Sequence, residues 1–144
     1  MYRNILVPTD GSDITRHAID TAINLAKVVG AKLTVVSVKE PFPYSAISEM
    51  QPVPPQEFFD AQERIATARV QVASEAAVAA GVECLPLTVE ATHPWEAITD
   101  TAKAQGCDLI VMASHGRRGV SALLLGSETQ KVLTHCNIPV LVVK

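Results

Sequence analysis

The sequence has few aromatic residues and no long apolar segment, and each shortage argues against a class of protein. Aromatic residues make up 4% of the 144 residues, and Trp95 is the single tryptophan, so no platform for stacking nucleic-acid bases is visible. No apolar run approaches the roughly 18–20 residues that cross a bilayer. Ile5-Leu6-Val7 follow the start too closely for a separate signal segment. We therefore expect neither a membrane span nor a nucleic-acid partner.

Neither sign of charge is in large excess. Twelve basic and fifteen acidic residues give a net charge of −3, whereas a protein that coats nucleic acid is expected to be basic. The three cysteines, Cys84, Cys107 and Cys136, are odd in number and widely spaced, which fits neither a disulfide framework nor a metal site. We interpret them as free, mostly buried thiols of a cytoplasmic protein.

Short apolar runs alternate along the chain with helical periods. Hydrophobic residues make up 48% of the sequence, enough for one domain over residues 1–144 with its own core. Five runs predict strands, and the third contains Pro86, which suits an edge strand. Continuous apolar runs such as the last two are typical of strands buried on both faces. The predicted strands are Ile5–Val7, Leu33–Val38, Glu83–Val89, Leu109–Met112 and Val140–Val143.

Four helices are predicted between these strands. The first follows Ser12, which can cap it, and ends at Gly30; the third runs from Pro94 to Gly106, and the fourth follows Gly126. The second extends from 54 to 81, and its apolar residues at steps of three and four predict one core-facing stripe. That stripe is Phe58, Ala61, Ile65, Ala68, Val72, Ala76 and Ala79.

The alternation of strands and helices predicts an α/β fold. Parallel strands need right-handed helical crossovers, so we expect a three-layer α/β/α sandwich around a five-stranded parallel sheet. The irregular, proline-rich stretch from Lys39 to Pro55 is either a mobile surface loop or a lid or partner surface.

A glycine-containing loop follows the fourth strand, where ligands of open α/β sheets bind. Gly116 and Gly119 allow close backbone approach, and the helix opening at Gly126-Ser127 offers amides and a dipole to a phosphate. Thr129 adds a hydroxyl, and Arg117 and Arg118 could screen phosphate charge. The alternative is a ligand-free capping box of Ser127 with Gln130, and Glu128 in that turn would repel a phosphate.

Asp10 follows the first strand and could bind a ribose hydroxyl or Mg²⁺. The alternative is a turn residue that shares helix capping with Ser12. Ser114 and His115 are adjacent, but no third group is placed to orient the histidine, which argues against hydrolytic chemistry.

These residues together resemble the universal stress protein family. The resemblance rests on Val7-Pro8-Thr9-Asp10-Gly11-Ser12, on Ser114-His115-Gly116 with nine residues to Gly126-Ser127, and on the closing Pro139–Val143, and it covers the whole chain. It implies a Rossmann-like fold, for which we expect the strand order 3-2-1-4-5, and a bound ATP with Mg²⁺, in which Asp10 would face the ribose or the metal. By position, the nucleotide-binding residues would be Pro8, Thr9, Asp10, Val38, Met112, Ala113, His115, Gly116, Arg117, Gly119, Gly126, Ser127, Glu128 and Thr129.

The family's ATP signature is Gly-x-x-Gly, nine residues, then Gly-Ser/Thr. The chain departs from it at one position, where Ala113 replaces the first glycine. If Ala113 has a negative φ, its methyl group matters little; if the position needs a positive φ, alanine is strained and crowds the ligand.

The resemblance also implies a homodimer through the last strand, residues 139–143. The expected function is that of an ATP-binding stress-response regulator or interaction module with an unidentified protein partner, at most a very slow ATPase and not an enzyme. The alternatives are a dimeric interaction module with a vestigial pocket and, less supported, an adenylate-forming enzyme.

Overall fold

A computed structural model of the chain describes residues 1–41, 55–116 and 125–144; the predicted ligand residues Arg117 and Gly119 lie outside this part. Strands and helices alternate strictly along the chain. The strands are β1 (Asn4–Pro8), β2 (Lys32–Lys39), β3 (Cys84–Glu90), β4 (Leu109–Ala113) and β5 (Val140–Val143). The helices are α1 (Asp13–Val29), α2 (Gln56–Ala79), α3 (Pro94–Ala104) and α4 (Ser127–His135).

All five strands are parallel, and their order is β3-β2-β1-β4-β5. Ile5 in the central strand is aligned with Leu33 on one side and Leu109 on the other. The predicted α/β fold, strand order and edge position of the proline-containing β3 are therefore confirmed.

Two cores lie on opposite faces of the sheet. One packs α1 and α2 against side chains such as Ile5, Val7 and Leu33; the other packs α3 and α4 against Leu6, Val36 and similar residues. Residues of β1 and β4 alternate between the two cores, which is why both strands are continuous apolar runs. No helix in the described ranges is long and apolar enough to span a membrane.

The prediction that the last strand is buried on both faces is wrong for the single chain. β5 lies at the edge of the sheet, and Leu141 is 39% exposed. Only Val143 of this strand is buried. β5 pairs with β4 on one side only, and this chain leaves part of its apolar side chains exposed.

The ends of α1 agree with the sequence prediction in position but only partly in mechanism. Gly30 ends the helix with a left-handed φ of 74°, which glycine adopts without steric cost. Ser12 occupies the N-cap, but its hydroxyl makes no capping bond and lies 3.2 Å from the hydroxyl of Thr15.

The predicted core-facing stripe of α2 is wrong. The buried residues of α2 are Ala66, Val70, Ala73 and Ala77, whereas Ile65 and Val72 of the predicted stripe are 45% and 59% exposed. Ala66, Ala73 and Ala77 each directly follow a residue of the predicted stripe. The buried stripe is therefore rotated from the predicted one by about 100° around the helix axis. This alanine-rich helix carries two apolar stripes, and packing against β2 and β3 selects the one with smaller side chains.

Candidate functional site

The carboxyl ends of β1 and β4 lie side by side at the point where strand order reverses, and the residues after them form a crevice with the start of α4. Two hydrogen bonds hold α4 there. The Gly126 N–H donates to the Ser114 carbonyl at 2.7 Å, and the Thr129 hydroxyl donates to the Ala113 carbonyl at 2.9 Å. Thr129 is buried. The end of β4 and the N-terminus of α4 are therefore fixed against each other.

Two glycines make this close approach possible. A Cβ atom on Gly116 would lie 2.7 Å from Oδ2 of Asp10, and one on Gly126 would lie 3.1 Å from Cα of His115. Such distances are too short for ordinary carbon contacts. Glycine at these two positions lets the loop after β4 touch the loop after β1 on one side and α4 on the other.

Ala113 occupies a position that needs no glycine. It lies in β4, is 5% exposed and packs in the core beneath the crevice. Among the described residues, every positive φ belongs to a glycine, so Ala113 is not strained. Of the two alternatives for this departure from the ATP signature, the structure favours the harmless one.

A network of hydroxyl groups positions the carboxylate of Asp10. Its Oδ1 accepts bonds from the Ser12 N–H at 2.9 Å and from the Thr15 hydroxyl at 3.1 Å. The buried Thr15 hydroxyl also lies 3.3 Å from the Thr9 hydroxyl. The Thr9 N–H in turn donates to the Val36 carbonyl of β2 at 2.9 Å. Asp10 therefore combines the turn role with a fixed orientation at the crevice. Thr15, the third residue of α1, is not among the predicted site residues.

The start of α4 differs from the predicted capping box. Gly126, not Ser127, is the N-cap, and the Gln130 side-chain amide donates to the Leu125 carbonyl at 2.8 Å. Ser127 is thus the first helical residue, and the amides of this first turn have no intrahelical acceptor. They and the positive end of the helix dipole suit a bound anion.

The Glu128 carboxylate, which is expected to repel a phosphate, has partners of its own in the structure. Its Oε2 accepts a 2.9 Å bond from the Trp95 N–H in the first turn of α3, and its Oε1 lies 4.0 Å from the Lys131 ammonium. The carboxylate therefore serves the start of a neighbouring helix. No sequence signal links residues 95 and 128, which only the packing of α3 on α4 brings together.

Ser114 and His115 do not form a hydrolytic pair with an orienting acid. The Ser114 hydroxyl lies 3.2 Å from Nδ1 of His115, and no other hydrogen bond to His115 occurs within the described part of the chain. The described residues also include no cluster of three or more His, Cys, Asp or Glu side chains that could hold a metal. Asp10 would need water or ligand oxygens to complete the coordination of Mg²⁺.

Val38 and Met112 are the next-to-last residues of β2 and β4, so they lie near the carboxyl ends of the strands, as Asp10 does. Next to Val38, Ser37 is fully buried, and in the described ranges its hydroxyl is the buried side-chain group without a hydrogen-bond partner. A buried hydroxyl without a partner is costly, and this one lies beside the strand end that carries Val38. Ser37 is not among the predicted site residues, because a serine within a strand carries no ligand signal.

All three cysteines are free thiols. Cys107 is buried and Cys84 is half-buried, and burial raises the pKa of both thiols. Neither lies among the residues that form the crevice.

Comparison with known proteins gives one family along the entire chain. The sequence profile of the universal stress protein family matches residues 1–144. A universal stress protein of Thermus aquaticus, named for the QAH/OAS sulfhydrylase 3′ region, is 35% identical over 144 residues, which cover all of both chains.

Solved structures give the same result. The universal stress protein UspA from Lactobacillus plantarum superposes with a TM-score of 0.85 at 28% identity, covering 99% of this chain and 98% of that one. A universal stress protein crystallised in complex with cAMP has a TM-score of 0.73 at 26% identity and covers 99% and 97%.

Proposed function

This chain belongs to the universal stress protein family, and we propose that it binds ATP with Mg²⁺ in the crevice between β1, β4 and α4. Nucleotide binding would make it a regulator or interaction module of the stress response. The observation that carries the proposal is the joining of α4 to the end of β4 by the 2.7 Å and 2.9 Å hydrogen bonds, because it brings the free amides of a helix N-terminus to the strand switch point.

The residues of the crevice fit the group. A Cβ on Gly116 would collide with the Asp10 carboxylate, and one on Gly126 would crowd His115. With no side chain at either position, the loop and helix backbone can face the phosphates. We assign the phosphates to His115, Gly116, Ser127 and the backbone amides of Glu128 and Thr129; the Thr129 hydroxyl, predicted as a further donor, is instead bound to the Ala113 carbonyl. Arg117 and Gly119 complete the proposed set from outside the described residues.

The nucleoside would lie toward β2, where the strand ends meet. We assign it to Pro8, Thr9, Val38, Met112 and Ala113, and the ribose or Mg²⁺ to Asp10. The fixed Asp10 carboxylate supports this, because its other oxygen, Oδ2, lies against Gly116 at the phosphate side.

We propose a binding protein and not an enzyme. The support is that no acid among the described residues is bonded to His115, so the described crevice offers no arrangement that activates a nucleophile. We propose a cytoplasmic location because the cysteines are free thiols. We propose a homodimer because the apolar strand β5 is only partly buried in the single chain.

Titration calorimetry with Mg-ATP tests the proposal, with cAMP run in parallel because a relative at 26% identity was crystallised with it. We expect saturable heat with ATP. Ser127→Glu places a charge at the first position of α4 and should weaken binding about tenfold or more. Gln56→Glu makes the same change at the first position of α2 and should leave binding unchanged. Folded protein that gives no heat with Mg-ATP would remove ATP from the proposal.

Ala113→Gly distinguishes the proposal from a vestigial pocket. Because Ala113 has no positive φ, glycine there should not improve ATP affinity by more than about twofold. A variant that binds ATP when the parent does not would establish the vestigial-pocket alternative.

A further inference from the structure

The exposed side of α2 carries an apolar stripe that the fold does not use. We name as the outer stripe the residues Ala61, Ile65, Ala68, Val72, Ala76 and Ala79. Ile65 and Val72 are 45% and 59% exposed, and Ala68, Ala76 and Ala79 are exposed as well. The opposite side of the helix reaches β3, where Glu63 accepts a bond from Thr88 at 3.2 Å. The outer stripe therefore has no counterpart within the described chain.

Side-chain sizes along the outer stripe are complementary to those of a second, antiparallel copy of the same stripe. Reversal about a point near residue 70 places Ile65 opposite Ala76 and Val72 opposite Ala68, and Ala61 falls opposite Ala79. Each large side chain thus meets a small one, as interdigitated packing between helices requires.

The charges beside the outer stripe obey the same symmetry. Arg64 and Glu75 are eleven positions apart, about three helical turns, so they lie on the same edge of the stripe. They are centred on nearly the same point as the apolar pairs. In an antiparallel pair of α2 helices, each Arg64 faces the Glu75 of the second copy, because a two-fold axis keeps like edges together.

Both charged groups are available for such a pairing. Among the described residues, none forms an ion pair with Arg64. Glu75 accepts a long 3.3 Å bond from the Gln71 side chain of its own helix.

From this symmetry we propose that α2 is a self-association surface, on which a second copy of this chain docks antiparallel through the outer stripe. This contact is distinct from the β5 edge and does not depend on nucleotide binding. A chain with two different two-fold contacts assembles beyond a dimer, because each contact leaves the other free.

A charge exchange tests both the surface and its register. Sedimentation velocity of the full chain over a concentration series, at low salt, should show reversible association. Arg64→Glu places two like-charged pairs in the contact and should weaken that association about tenfold, and Val72→Glu should weaken it further. The double variant Arg64→Glu/Glu75→Arg restores opposite charges and should return association to the wild-type strength.

Lys103→Glu is the matched control, because it makes the same charge change on α3, across the sheet, and should leave association unaltered. Circular dichroism melting confirms that each variant is folded. Two results overturn the proposal: wild type and Arg64→Glu that sediment alike at all concentrations, or a double variant that stays as weak as the single one. If wild type does not self-associate but the outer stripe captures another protein, a second copy is likewise excluded as the occupant.

Discussion

At the scale of single residues, the crevice depends on Gly116, where a Cβ would lie 2.7 Å from an Asp10 oxygen, and on Gly126, where one would lie 3.1 Å from Cα of His115. Asp10 is the closest neighbour of Gly116, and its carboxylate is held by Ser12 and Thr15. A methyl group at position 116 therefore meets an oxygen that cannot move freely.

Gly116→Ala should displace the Asp10 carboxylate and lower the free energy of unfolding by about 1–3 kcal/mol. If the proposed function holds, affinity for Mg-ATP should fall at least about tenfold as well. Urea denaturation and calorimetry measure the two effects. A variant with parental stability would show that the contact at 2.7 Å is easily relieved.

The buried Cys107 thiol should make the stability of the protein depend on pH. Burial raises its pKa above the usual value of 9.0, so near and above pH 9 the folded state retains a proton that the unfolded state loses. The free energy of unfolding should therefore decrease as pH rises from about 9 toward the folded-state pKa.

Urea denaturation between pH 8 and 10.5 tests this dependence. Cys107→Ala should be less stable at pH 8, because it lacks the buried sulfur, but should lose less stability over that range than the wild type. Equal slopes in the two proteins would contradict a role for this thiol. Alkylation of Cys107 by iodoacetamide should correspondingly be slow at neutral pH.

At the scale of secondary-structure elements, Trp95 at the start of α3 contacts both ends of α4. Glu128 of α4 accepts the Trp95 N–H of α3, and the Trp95 ring packs on His135 at a centroid distance of 4.8 Å. The Glu128 carboxylate thus accepts a bond from one of the free amides at the start of α3. The N-cap residue of α3, His93, makes no side-chain capping bond.

Removal of that acceptor should destabilise the protein. Glu128→Ala should lower the free energy of unfolding by about 1 kcal/mol, as loss of an N-cap does. Lys131→Ala, which breaks only the exposed 4.0 Å ion pair to the same carboxylate, should cost less than about 0.5 kcal/mol. Equal losses in both variants would show that the Trp95 bond contributes little.

At the scale of the whole molecule, the two sheet edges differ in character. β3 contains Pro86, which cannot donate a bond to another strand, whereas β5 is a short apolar strand with an open edge. This contrast supports the proposed homodimer through residues 139–143 and predicts which edge is sensitive to a charge.

Leu141→Glu should weaken the proposed dimer by about 100-fold, because each of the two copies contributes its Leu141 to the symmetric contact. Leu85→Glu alters a leucine of similar exposure, 44% against 39%, on the β3 edge and should leave the mass unchanged. Light scattering coupled to size-exclusion chromatography measures both. A dimer that survives Leu141→Glu would place its interface elsewhere.

The sequence by itself determined the order of elements, the parallel sheet and the strand ends beside which the crevice lies. It could do so because buried parallel strands must be apolar along their length and because glycines and helix starts have local signatures, as at Gly30 and Gly126. Only the tertiary structure decided which stripe of α2 faces the core, since an alanine-rich helix offers two and the sheet accepts the one that fits. It likewise turned Glu128 toward Trp95, gave Ala113 an unstrained backbone and placed Thr15 beneath Asp10, because these outcomes depend on contacts between segments distant in sequence or on backbone angles that residue types do not fix.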